Sequence, residues 1–345
     1  MTFRIRMLPS GKEFSAEKTE TLLEAALRSG IALKYNCNNG TCGGCGGRLV
    51  AGKTHDTFHH DFVLSDTQKA QGHVLLCCTS AETDLEIEVN EIGRAEGIPQ
   101  QQIATKVERL ERVQEDTIIL HLRTPRSQTL RFFAGQHLSL AIDGVPQRSK
   151  SIASCPCNAM HLQFHIRHVS GDPFSEYVFK QLKPSQTVMI AGPQGDFTLD
   201  ESSRRPIILL AYETGFAPIK SIIEHAIALE LEQPLHLYWM AHKPGDHYLK
   251  NLCRSWLDAL DNFKFTALDG GSTAGESSWE ASADPALGLH DMETAGTAIT
   301  TGYPDLSGYD VYLTAPDSSA QEIASLLQQA GLPEEQLHLD VMKRF

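Results

Sequence analysis

The chain has 345 residues and an ordinary globular composition, 41% hydrophobic and 21% charged, which excludes a disordered or fibrous protein and suggests two or three domains. Its net charge of −13 disfavours nucleic acid as a partner and favours basic protein surfaces. No stretch has the apolar length of a membrane span and the first residues have no apolar signal core, so we expect a cytoplasmic protein.

The first segment predicts a small β-grasp module, built from a hairpin, a helix and a long loop. The predicted elements are strands over 2–8 and 12–15 around a turn at 9–11, a helix over 21–28 that ends at Gly30, and an edge strand over 84–89. The following stretch, rich in Gly, Pro and Gln, predicts a linker over about 91–102. We expect a first domain over residues 1–95 and a linker over 96–102.

Three cysteines in the loop of this module, Cys37, Cys42 and Cys45, have the spacing C-x4-C-x2-C, and Cys77 lies downstream. Glycines in the loop let the backbone fold tightly and aim N–H groups at sulfur. A disulfide framework and a zinc site are the alternatives, but zinc usually takes C-x2-C pairs and a cytoplasmic chain of this length has little need of disulfides. The spacing is that of the plant-type ferredoxins and predicts a [2Fe–2S] cluster on four thiolates.

The fourth ligand has to be chosen between the adjacent Cys77 and Cys78. The segment Leu75-Leu-Cys-Cys-Thr79 resembles the pattern L-L-C-x-T of plant-type ferredoxins. That resemblance implies that Cys77 is the ligand and that Cys78 is a packed thiol.

The rest of the chain predicts a barrel and a nucleotide-binding domain. Residues 103–200 are rich in strands, the clearest at 103–110, 117–123, 137–142 and 161–168, and indicate a small antiparallel barrel. Residues 201–345 begin with an apolar strand at 205–213, a helix at 218–229 and a strand at 234–240, a βαβ unit typical of a parallel Rossmann-like sheet. The polar stretch 270–302 predicts a long surface loop with little chemistry. The predicted fold class is therefore multidomain, α+β and α/β.

The middle block contains the segment Arg148-Ser149-Lys150-Ser151. It resembles the R-x-Y-S motif of the ferredoxin–NADP reductase superfamily, whose barrel binds FAD. A lone Arg-x-x-Ser is usually a solvated turn, but a flavin diphosphate requires a fixed cation and Arg148 would supply a planar donor fork. The resemblance implies that these four residues bind FAD and that the Ser151 hydroxyl lies near N5 of the flavin, as a catalytic group.

One residue of this motif departs from the family. The Tyr whose ring packs on the flavin in relatives is Lys150 here. An ammonium cannot stack in that way. It lies either near the negative edge of the flavin, where it favours the reduced anionic form, or away from the ring.

Further segments follow in the order of the family. His165-Ile166-Arg167 occupies a strand that contacts FAD in relatives, and Gly171-Asp-Pro-Phe174-Ser175 opens a helix whose N–H groups can meet the pyrophosphate. The segment 191–197 resembles the G-P-x-G-x-F turn that closes the barrel. The resemblance thus implies FAD contacts from all of these: His165, Ile166, Arg167, Gly171, Phe174 and Ser175.

The segment Thr214-Gly215-Phe-Ala-Pro218 resembles the end of the family turn G-G-T-G-x-A-P. Gly215 permits a tight turn, Pro218 suits the first helical turn, and the helix N-terminus offers N–H groups to a dinucleotide pyrophosphate. An ordinary strand-to-helix turn is the alternative. Tyr212 and Glu213 replace the two leading glycines, and Glu213 puts a negative charge near the path of the phosphates.

Two other nucleotide features are altered. The family loop C-G-P, which positions the nicotinamide, has Thr314 and Ala315 in place of Cys and Gly. No arginine follows the second strand to hold a 2′-phosphate, so we expect NADH rather than NADPH, although His242 and Lys243 leave the choice open. In relatives a C-terminal aromatic can approach the flavin, which gives Phe345 a catalytic role; a frayed tail is the alternative.

The remaining His and Cys residues carry no predicted chemistry. The histidines lack companion carboxylates or thiols at ligand spacing. Cys155-Pro-Cys157 is a poor redox motif and is interpreted as structural.

Over nearly its full length the chain resembles the reductase components of bacterial multicomponent oxygenases, and it is also similar to CDP-6-deoxyglucoseen reductases. The family implies that NADH delivers a hydride to FAD and that FAD passes single electrons to the [2Fe–2S] cluster. The cluster would then reduce a partner protein, an oxygenase or hydroxylase component. A relay or redox sensor with degenerate nucleotide loops is the alternative of a different class.

Overall fold

The structure is a computed structural model that describes residues 2–29, 31, 33, 40, 43–57, 64–89, 98, 100–126, 128, 130–270 and 285–342. The chain divides into two compact units, Met1–Gln101 with Gly192–Asp196, and Gln102–Ala191 with Phe197–Phe345. The second unit contains both the predicted barrel and the predicted nucleotide-binding domain. The domain limits 1–95, 103–200 and 201–345 stay predictions.

The first unit contains a mixed five-stranded sheet in the order β2-β1-β7-β3-β5, with a separate β4-β6 pair. Ile5 and Met7 of β1 are buried and alternate with outward-facing arginines, while one face of α1 covers the sheet with buried leucine and alanine. These features confirm the β-grasp prediction. The elements are β1 (Thr2–Leu8), β2 (Glu13–Glu17), α1 (Leu22–Arg28), β3 (Gly46–Ala51), β4 (Thr54–Asp56), α2 (Asp66–Ala70), β5 (His73–Leu75), β6 (Thr79–Ala81) and β7 (Leu85–Glu88).

The first half of the second unit is a six-stranded sheet in the order β11-β10-β13-β8-β9-β12. It curls on itself, because the N–H of Ala153, just after β11, donates to the carbonyl of Gln163 in β12 over 2.8 Å. The sheet therefore forms the predicted barrel. Its elements are β8 (Gln101–Arg112), β9 (Thr117–Arg123), β10 (His137–Ile142), β11 (Val145–Ser151), a 3-10 turn (Pro156–Asn158), β12 (His161–Arg167), α3 (Pro173–Lys180) and β13 (Thr187–Gln194).

The second half is a parallel sheet in the order β16-β15-β14-β17-β18. Helices α4 and α5 pack on one face, and α6 and α7 on the other, which is the Rossmann-like arrangement. Strands β15 and β16 are added on one side of β14, and β17 and β18 on the other, so the strand order reverses between β14 and β17. Ligands of such folds bind at this position. The elements are β14 (Ile207–Tyr212), a 3-10 turn (Glu213–Gly215), α4 (Phe216–Ala228), β15 (Leu235–Ala241), α5 (Lys250–Ala259), β16 (Phe263–Asp269), α6 (Pro285–Gly302), β17 (Asp310–Pro316), α7 (Ala320–Gln329), a 3-10 turn (Glu334–Gln336) and β18 (Leu337–Met342).

The prediction of a surface loop over 270–302 is wrong for its second part, because Pro285–Gly302 forms helix α6. Met292, Ala295 and Ile299 follow helical spacing and are fully buried. Gly296 lets α6 approach α7 closely, since a Cβ there would lie 2.4 Å from Cδ1 of Ile323. The many Gly and Thr residues of this stretch concealed the apolar period. Residues 271–284 lie outside the described part of the chain.

No helix in the described ranges combines the length and the apolar character needed to cross a membrane.

Candidate functional site

Two of the four predicted cluster ligands, Cys45 and Cys77, meet in the interior of the first unit. Both are buried, and the backbone N–H of Cys77 donates to Sγ of Cys45 over 3.4 Å. Cys45 stands just before β3 and Cys77 follows β5, and these strands pair Gly46 with Leu75. The pairing of the strands therefore brings the thiols together. Cys37 and Cys42 lie outside the described residues.

The chemistry of this site fits an iron–sulfur cluster. A cysteine sulfur that accepts a backbone N–H is poised as a thiolate ligand. Gly40 and Gly43 have φ angles of 76° and 72°, a left-handed backbone that larger residues adopt only with strain. The described residues contain no group of three potential ligands, since Cys37 and Cys42 are not among them. The four-cysteine set stays a prediction.

Cys78 lies beside the predicted fourth ligand. It is fully buried in the apolar core, and its Sγ is 3.5 Å from Sγ of Cys77. Its N–H donates to the carbonyl of Leu75 over 2.9 Å, which closes the turn after β5. The choice of Cys77 as the ligand stays a prediction.

In what we call the FAD turn, residues 169–175, Asp172 holds the guanidinium of Arg148 at the N-terminus of α3. Asp172 caps this helix, with Oδ2 accepting the N–H of Ser175 and Oδ1 accepting Nε of Arg148, both over 2.9 Å. Burial opposes ionisation of Asp172, but these partners outweigh it and lower its pKa. The Arg148 side chain remains 25% exposed. A guanidinium beside a helix N-terminus fits a diphosphate.

The other predicted residues of the FAD turn shape it. Gly171 has φ 79°, and a Cβ there would meet nothing within 4 Å, so the turn is open at this point. Phe174 is fully buried in the barrel core. The hydroxyl of Ser175 accepts the N–H of Val169 over 3.0 Å and is itself buried. Phe174 and Ser175 therefore support the turn from inside.

Strand β11 carries the other predicted flavin residues. Ser149 is exposed and pairs with Ser139 of β10. Lys150 is half-buried on the same face as Arg148, because side chains alternate along a strand. Burial lowers the pKa of Lys150 to about 8, although the charge of Asp172 favours its ammonium. The ammonium thus belongs to the surroundings of Arg148 and Asp172; a contact with the flavin stays a prediction.

Ser151, at the end of β11, lies beside the parallel sheet. Its Oγ is 3.5 Å from Oδ2 of Asp340 in β18, and Asp340 pairs in register with Thr314 of β17. Thr314 is fully buried, and its hydroxyl accepts the N–H of Tyr212 over 3.1 Å. A Cβ on Gly215 would lie 2.4 Å from Oγ1 of Thr314, so this position requires glycine. Ser151 of the predicted flavin strand therefore lies beside Asp340, the neighbour in β18 of Thr314 in β17.

The nucleotide turn, residues 212–218, leads from β14 into α4. Pro218 lies in the first turn of α4 and is buried, while Thr214 is half-buried. Among the described residues, no side chain caps the start of α4. Its N–H groups and the positive end of its dipole suit an anionic ligand.

Glu213 in this turn points inward, away from the expected path of phosphates. It is buried, with φ 52°, and its carboxylate accepts from the guanidinium of Arg167 and from the backbone N–H of His242. Arg167 also donates from Nε to Asp116 over 2.8 Å. Burial disfavours the charge on Arg167, but the two carboxylates outweigh it and raise its pKa. The negative charge of Glu213 is therefore neutralised within the protein.

The other two predicted FAD residues of β12 are buried. Ile166 lies in the barrel core. His165 forms a hydrogen bond of 2.8 Å from Nδ1 to the hydroxyl of Tyr248, and burial lowers the pKa of His165 well below its usual value. FAD contacts from β12 stay predictions. Phe345 lies outside the described residues.

His242 is buried. It is one of the two residues that left the choice between NADH and NADPH open. Its Nδ1 is 2.9 Å from Oδ2 of Asp291 in α6, and both side chains are buried. The hydrogen bond to Asp291 raises the pKa of His242 more than burial lowers it. Lys243 remains half-buried.

Three acids that contact residues singled out in the sequence were not identified from it: Asp172, Asp291 and Asp340. Asp172 stands directly before a proline that opens a helix, and this N-cap signal could have identified it. Asp291 and Asp340 act on residues 49 and 189 positions away, and no local pattern marks them.

Cys155 and Cys157 form a disulfide, although the sequence predicted little need for one. The pair follows β11, and the N–H of Cys155 donates to Oε2 of Glu224 over 3.2 Å. The interpretation of the pair as structural stays a prediction.

Comparisons with known proteins match this arrangement. The family description "2Fe-2S iron-sulfur cluster binding domain" matches residues 5–82, and "Oxidoreductase FAD-binding domain" matches residues 104–199. The CDP-6-deoxy-L-threo-D-glycero-4-hexulose-3-dehydrase reductase of Yersinia pseudotuberculosis is 34% identical over 312 residues, 90% of each chain. Reductase component 1 of terephthalate 1,2-dioxygenase from Comamonas sp is 30% identical over 343 residues, 99% of this chain and 97% of the relative. The crystal structure of the Amycolatopsis cytochrome P450 reductase GcoB shares the fold, with a TM-score of 0.80, 23% identity and 99% of both chains covered.

A ferredoxin module joined to an FAD-binding barrel and a Rossmann-like sheet defines the class of [2Fe–2S] flavoprotein reductases. The chain belongs to the ferredoxin–NAD(P) reductase superfamily, in the group that includes oxygenase reductase components and CDP-deoxyhexulose dehydrase reductases. It is an NAD(P)H-dependent oxidoreductase whose cofactors are a [2Fe–2S] cluster and FAD.

Proposed function

We propose that this protein oxidises NADH and delivers single electrons to a separate acceptor protein. The observation that carries the proposal is the contact of Ser151 with Asp340, which pairs in register with Thr314, because it joins the predicted flavin strand to the carboxyl edge of the nucleotide sheet. Ligands of such sheets bind at that edge. A nicotinamide bound there would lie next to Ser151.

Each half of the second unit contributes its own anion site. Arg148, held by Asp172 at the N-terminus of α3, binds the FAD diphosphate. The uncapped N-terminus of α4 binds the pyrophosphate of NADH, and Gly215 keeps the turn close to Thr314. When bound, FAD divides the two electrons of a hydride into single electrons, which the cluster on Cys37, Cys42, Cys45 and Cys77 accepts one at a time.

The withdrawal of His242 supports NADH as the donor. A 2′-phosphate requires cationic donors after the second strand of the sheet. His242 is turned to Asp291, which leaves Lys243 as the remaining candidate in that loop. We expect kcat/KM for NADH to exceed that for NADPH by at least about tenfold, and comparable values would overturn the preference.

The acceptor is a protein, and an oxygenase or hydroxylase component is our first candidate, because the full-length relatives of this chain include the terephthalate 1,2-dioxygenase reductase. A CDP-deoxyhexulose dehydrase is the second candidate, favoured by the 34% identity of the Yersinia reductase. We place the protein in the cytoplasm, where NADH is available to both kinds of system.

The direct test is the visible spectrum of the purified, FAD- and cluster-loaded protein under anaerobic conditions. We expect NADH to bleach the flavin and cluster bands within minutes and to support cytochrome c reduction. A protein that contains both cofactors and is bleached by dithionite but not by NADH would be the relay or sensor instead.

The acceptor is identified by reconstitution. The protein is mixed with the terephthalate dioxygenase oxygenase component or with the CDP-deoxyhexulose 3-dehydrase, and product formation is measured with NADH. Turnover with one of them alone assigns the class of partner. Turnover with neither, in a protein that reduces cytochrome c, would reject both candidates.

A further inference from the structure

Strand β12 belongs to the barrel on one face and touches the nucleotide-binding half on the other. Leu162, Phe164 and Ile166 are fully buried in the barrel core. The residues between them form what we call the β12 strip: Gln163, His165 and Arg167. Side chains alternate along a strand, so the strip faces away from the barrel core.

Each residue of the β12 strip contacts a different part of the nucleotide-binding half. Gln163 accepts from Nζ of Lys220 in α4 over 3.1 Å. His165 bonds to the hydroxyl of Tyr248, and Arg167 donates to Glu213 in the nucleotide turn. The two halves are thus joined by side-chain contacts along the whole strip.

Lys220 is the most constrained member of this joint. It is only 4% exposed, and Nζ donates to the carbonyl of Ala153 over 2.9 Å, to Gln163, and to Oε1 of Glu224. An ammonium has three protons, and all three are used. Burial of an ammonium costs free energy, and a buried ion pair can stabilise a fold less than apolar side chains of similar size would. Stability alone is therefore a weak reason for lysine here.

The residues beside Lys220 extend this contact along the chain. Ser221 donates from its hydroxyl to the carbonyl of Ser154 over 2.8 Å, and Glu224 accepts the N–H of Cys155 over 3.2 Å. Together with Lys220 they form what we call the α4 clamp: Lys220, Ser221 and Glu224. The clamp holds three consecutive residues, 153–155, which begin two positions after Ser151.

We propose that Lys220 is a positioning residue for hydride transfer, which fixes the nucleotide turn relative to the flavin strand. The inference rests on the proposed function. Gly215 precedes Lys220 by five residues, about 7.5 Å along a helix, while Ala153 stands two positions after Ser151 in the chain. Helix α4 thus connects the nucleotide turn, where NADH would bind, with the segment that follows Ser151, where the flavin would lie. A displacement of about 1 Å can slow a reaction about a hundredfold, so small changes in the clamp should be visible.

The test compares Lys220→Met with the wild-type protein in anaerobic stopped-flow reduction by NADH. We expect the limiting rate of flavin reduction to fall about 10- to 100-fold, while the NADH concentration for half-maximal rate changes by less than about threefold. Lys264→Met, at an exposed position on β16, is the matched control and should keep the wild-type rate. FAD content and bleaching by dithionite should be the same in all three proteins.

Two further measurements separate positioning from a loss of folding. Glu224 is 27% exposed, so water can solvate it in Lys220→Met and the fold should survive. Hydrogen exchange in the peptide 152–157 of the cofactor-free protein should become faster in this variant, with the rest of the barrel unchanged. Ser221→Ala removes one clamp bond without a change of charge, and we expect a smaller reduction in rate, about 3- to 10-fold.

The outcomes are distinct. If NADH does not reduce the wild-type flavin, the proposed function fails and the inference with it. If the wild type is reduced and Lys220→Met reacts at the same limiting rate, the inference alone is overturned. It is equally overturned if Lys220→Met changes the half-saturating NADH concentration and leaves the limiting rate intact.

Discussion

The FAD turn and the nucleotide turn are made from the same components but differ in accessibility. At each turn, a carboxylate near a helix N-terminus pairs with an arginine from a neighbouring strand, Arg148 of β11 or Arg167 of β12. At the FAD turn the Arg148 side chain is 25% exposed while it pairs with Asp172. In the nucleotide turn Arg167 is only 8% exposed, and Glu213 and Asp116 occupy it.

This difference shows that an arginine near a helix N-terminus is not by itself a phosphate site. Arg148 donates to Asp172 from Nε over 2.9 Å and to the carbonyl of Gln147 over 3.1 Å, and its side chain stays 25% exposed. Arg167 is neutralised inside the fold and joins two parts of the second unit. We expect the first arginine to contact a ligand and the second to join two parts of the second unit, and the following variants test that division.

The largest effect is expected for Arg167→Met. Removal of the guanidinium leaves the Glu213 carboxylate buried without its cation, which costs about 3–5 kcal/mol of unfolding free energy. Urea unfolding followed by tryptophan fluorescence reports on the second unit, because Trp239 and Trp256 are buried in it and the sequence of the first unit contains no tryptophan. The double variant Arg167→Met/Glu213→Gln should regain part of the loss. A loss below about 1 kcal/mol in the single variant would contradict a structural role for Arg167.

The next effect is expected for Gly215→Ala. Its Cβ would lie 2.4 Å from Oγ1 of Thr314 and 2.7 Å from Sδ of Met342, and the resulting strain should cost about 1–3 kcal/mol. Gly308→Ala is the control, because a Cβ there meets nothing within 4 Å. Equal unfolding midpoints for the two variants would mean that the nucleotide turn is not packed against β17 as described.

A smaller effect is expected for Arg148→Gln, which tests the FAD turn. Loss of a charge-assisted contact with a diphosphate should weaken FAD binding about tenfold, or about 1.5 kcal/mol. The measurement is quenching of flavin fluorescence by the cofactor-free protein. Arg126→Gln, an exposed position of the same unit, is the control. Unchanged FAD affinity in Arg148→Gln would remove this arginine from the site.

The smallest effect concerns pH and Lys150. Because burial lowers its pKa to about 8, the ammonium is present below that pH and is lost as the pH rises through it. If the FAD diphosphate favours the ammonium, FAD affinity should fall roughly fivefold between pH 7 and pH 9. Lys150→Met should abolish this dependence. A wild-type affinity independent of pH would indicate that the ammonium does not face the cofactor.

The sequence predicted the architecture well because the relevant signals are local. Alternating and continuous apolar patterns located the strands, and the order of the motifs located the barrel and the parallel sheet. Helix α6 was missed because its apolar residues, Met292, Ala295 and Ile299, are diluted by Thr and Gly. When glycine occupies part of the packing face of a helix, the apolar residues recur too rarely for the helical period to be recognised in the sequence.

The site was predicted less completely, because its key contacts connect distant parts of the chain. Sequence showed the charge of Glu213 but not its direction, which is set by Arg167, 46 residues away. The same applies to Asp340 beside Ser151. Spacing motifs identify residues that bind a ligand directly, whereas the side chains that orient them come from unrelated segments.

The two faces of β12 have a consequence for how such reductases exchange parts during evolution. A nucleotide-binding domain transplanted from a relative with a junction near residue 200 would bring its own α4 and meet the β12 strip of this chain. Its residues at positions 220, 248 and 213 would have to match Gln163, His165 and Arg167 of the strip. We therefore expect functional chimaeras to be recovered with junctions near residue 101 more often than with junctions near 200.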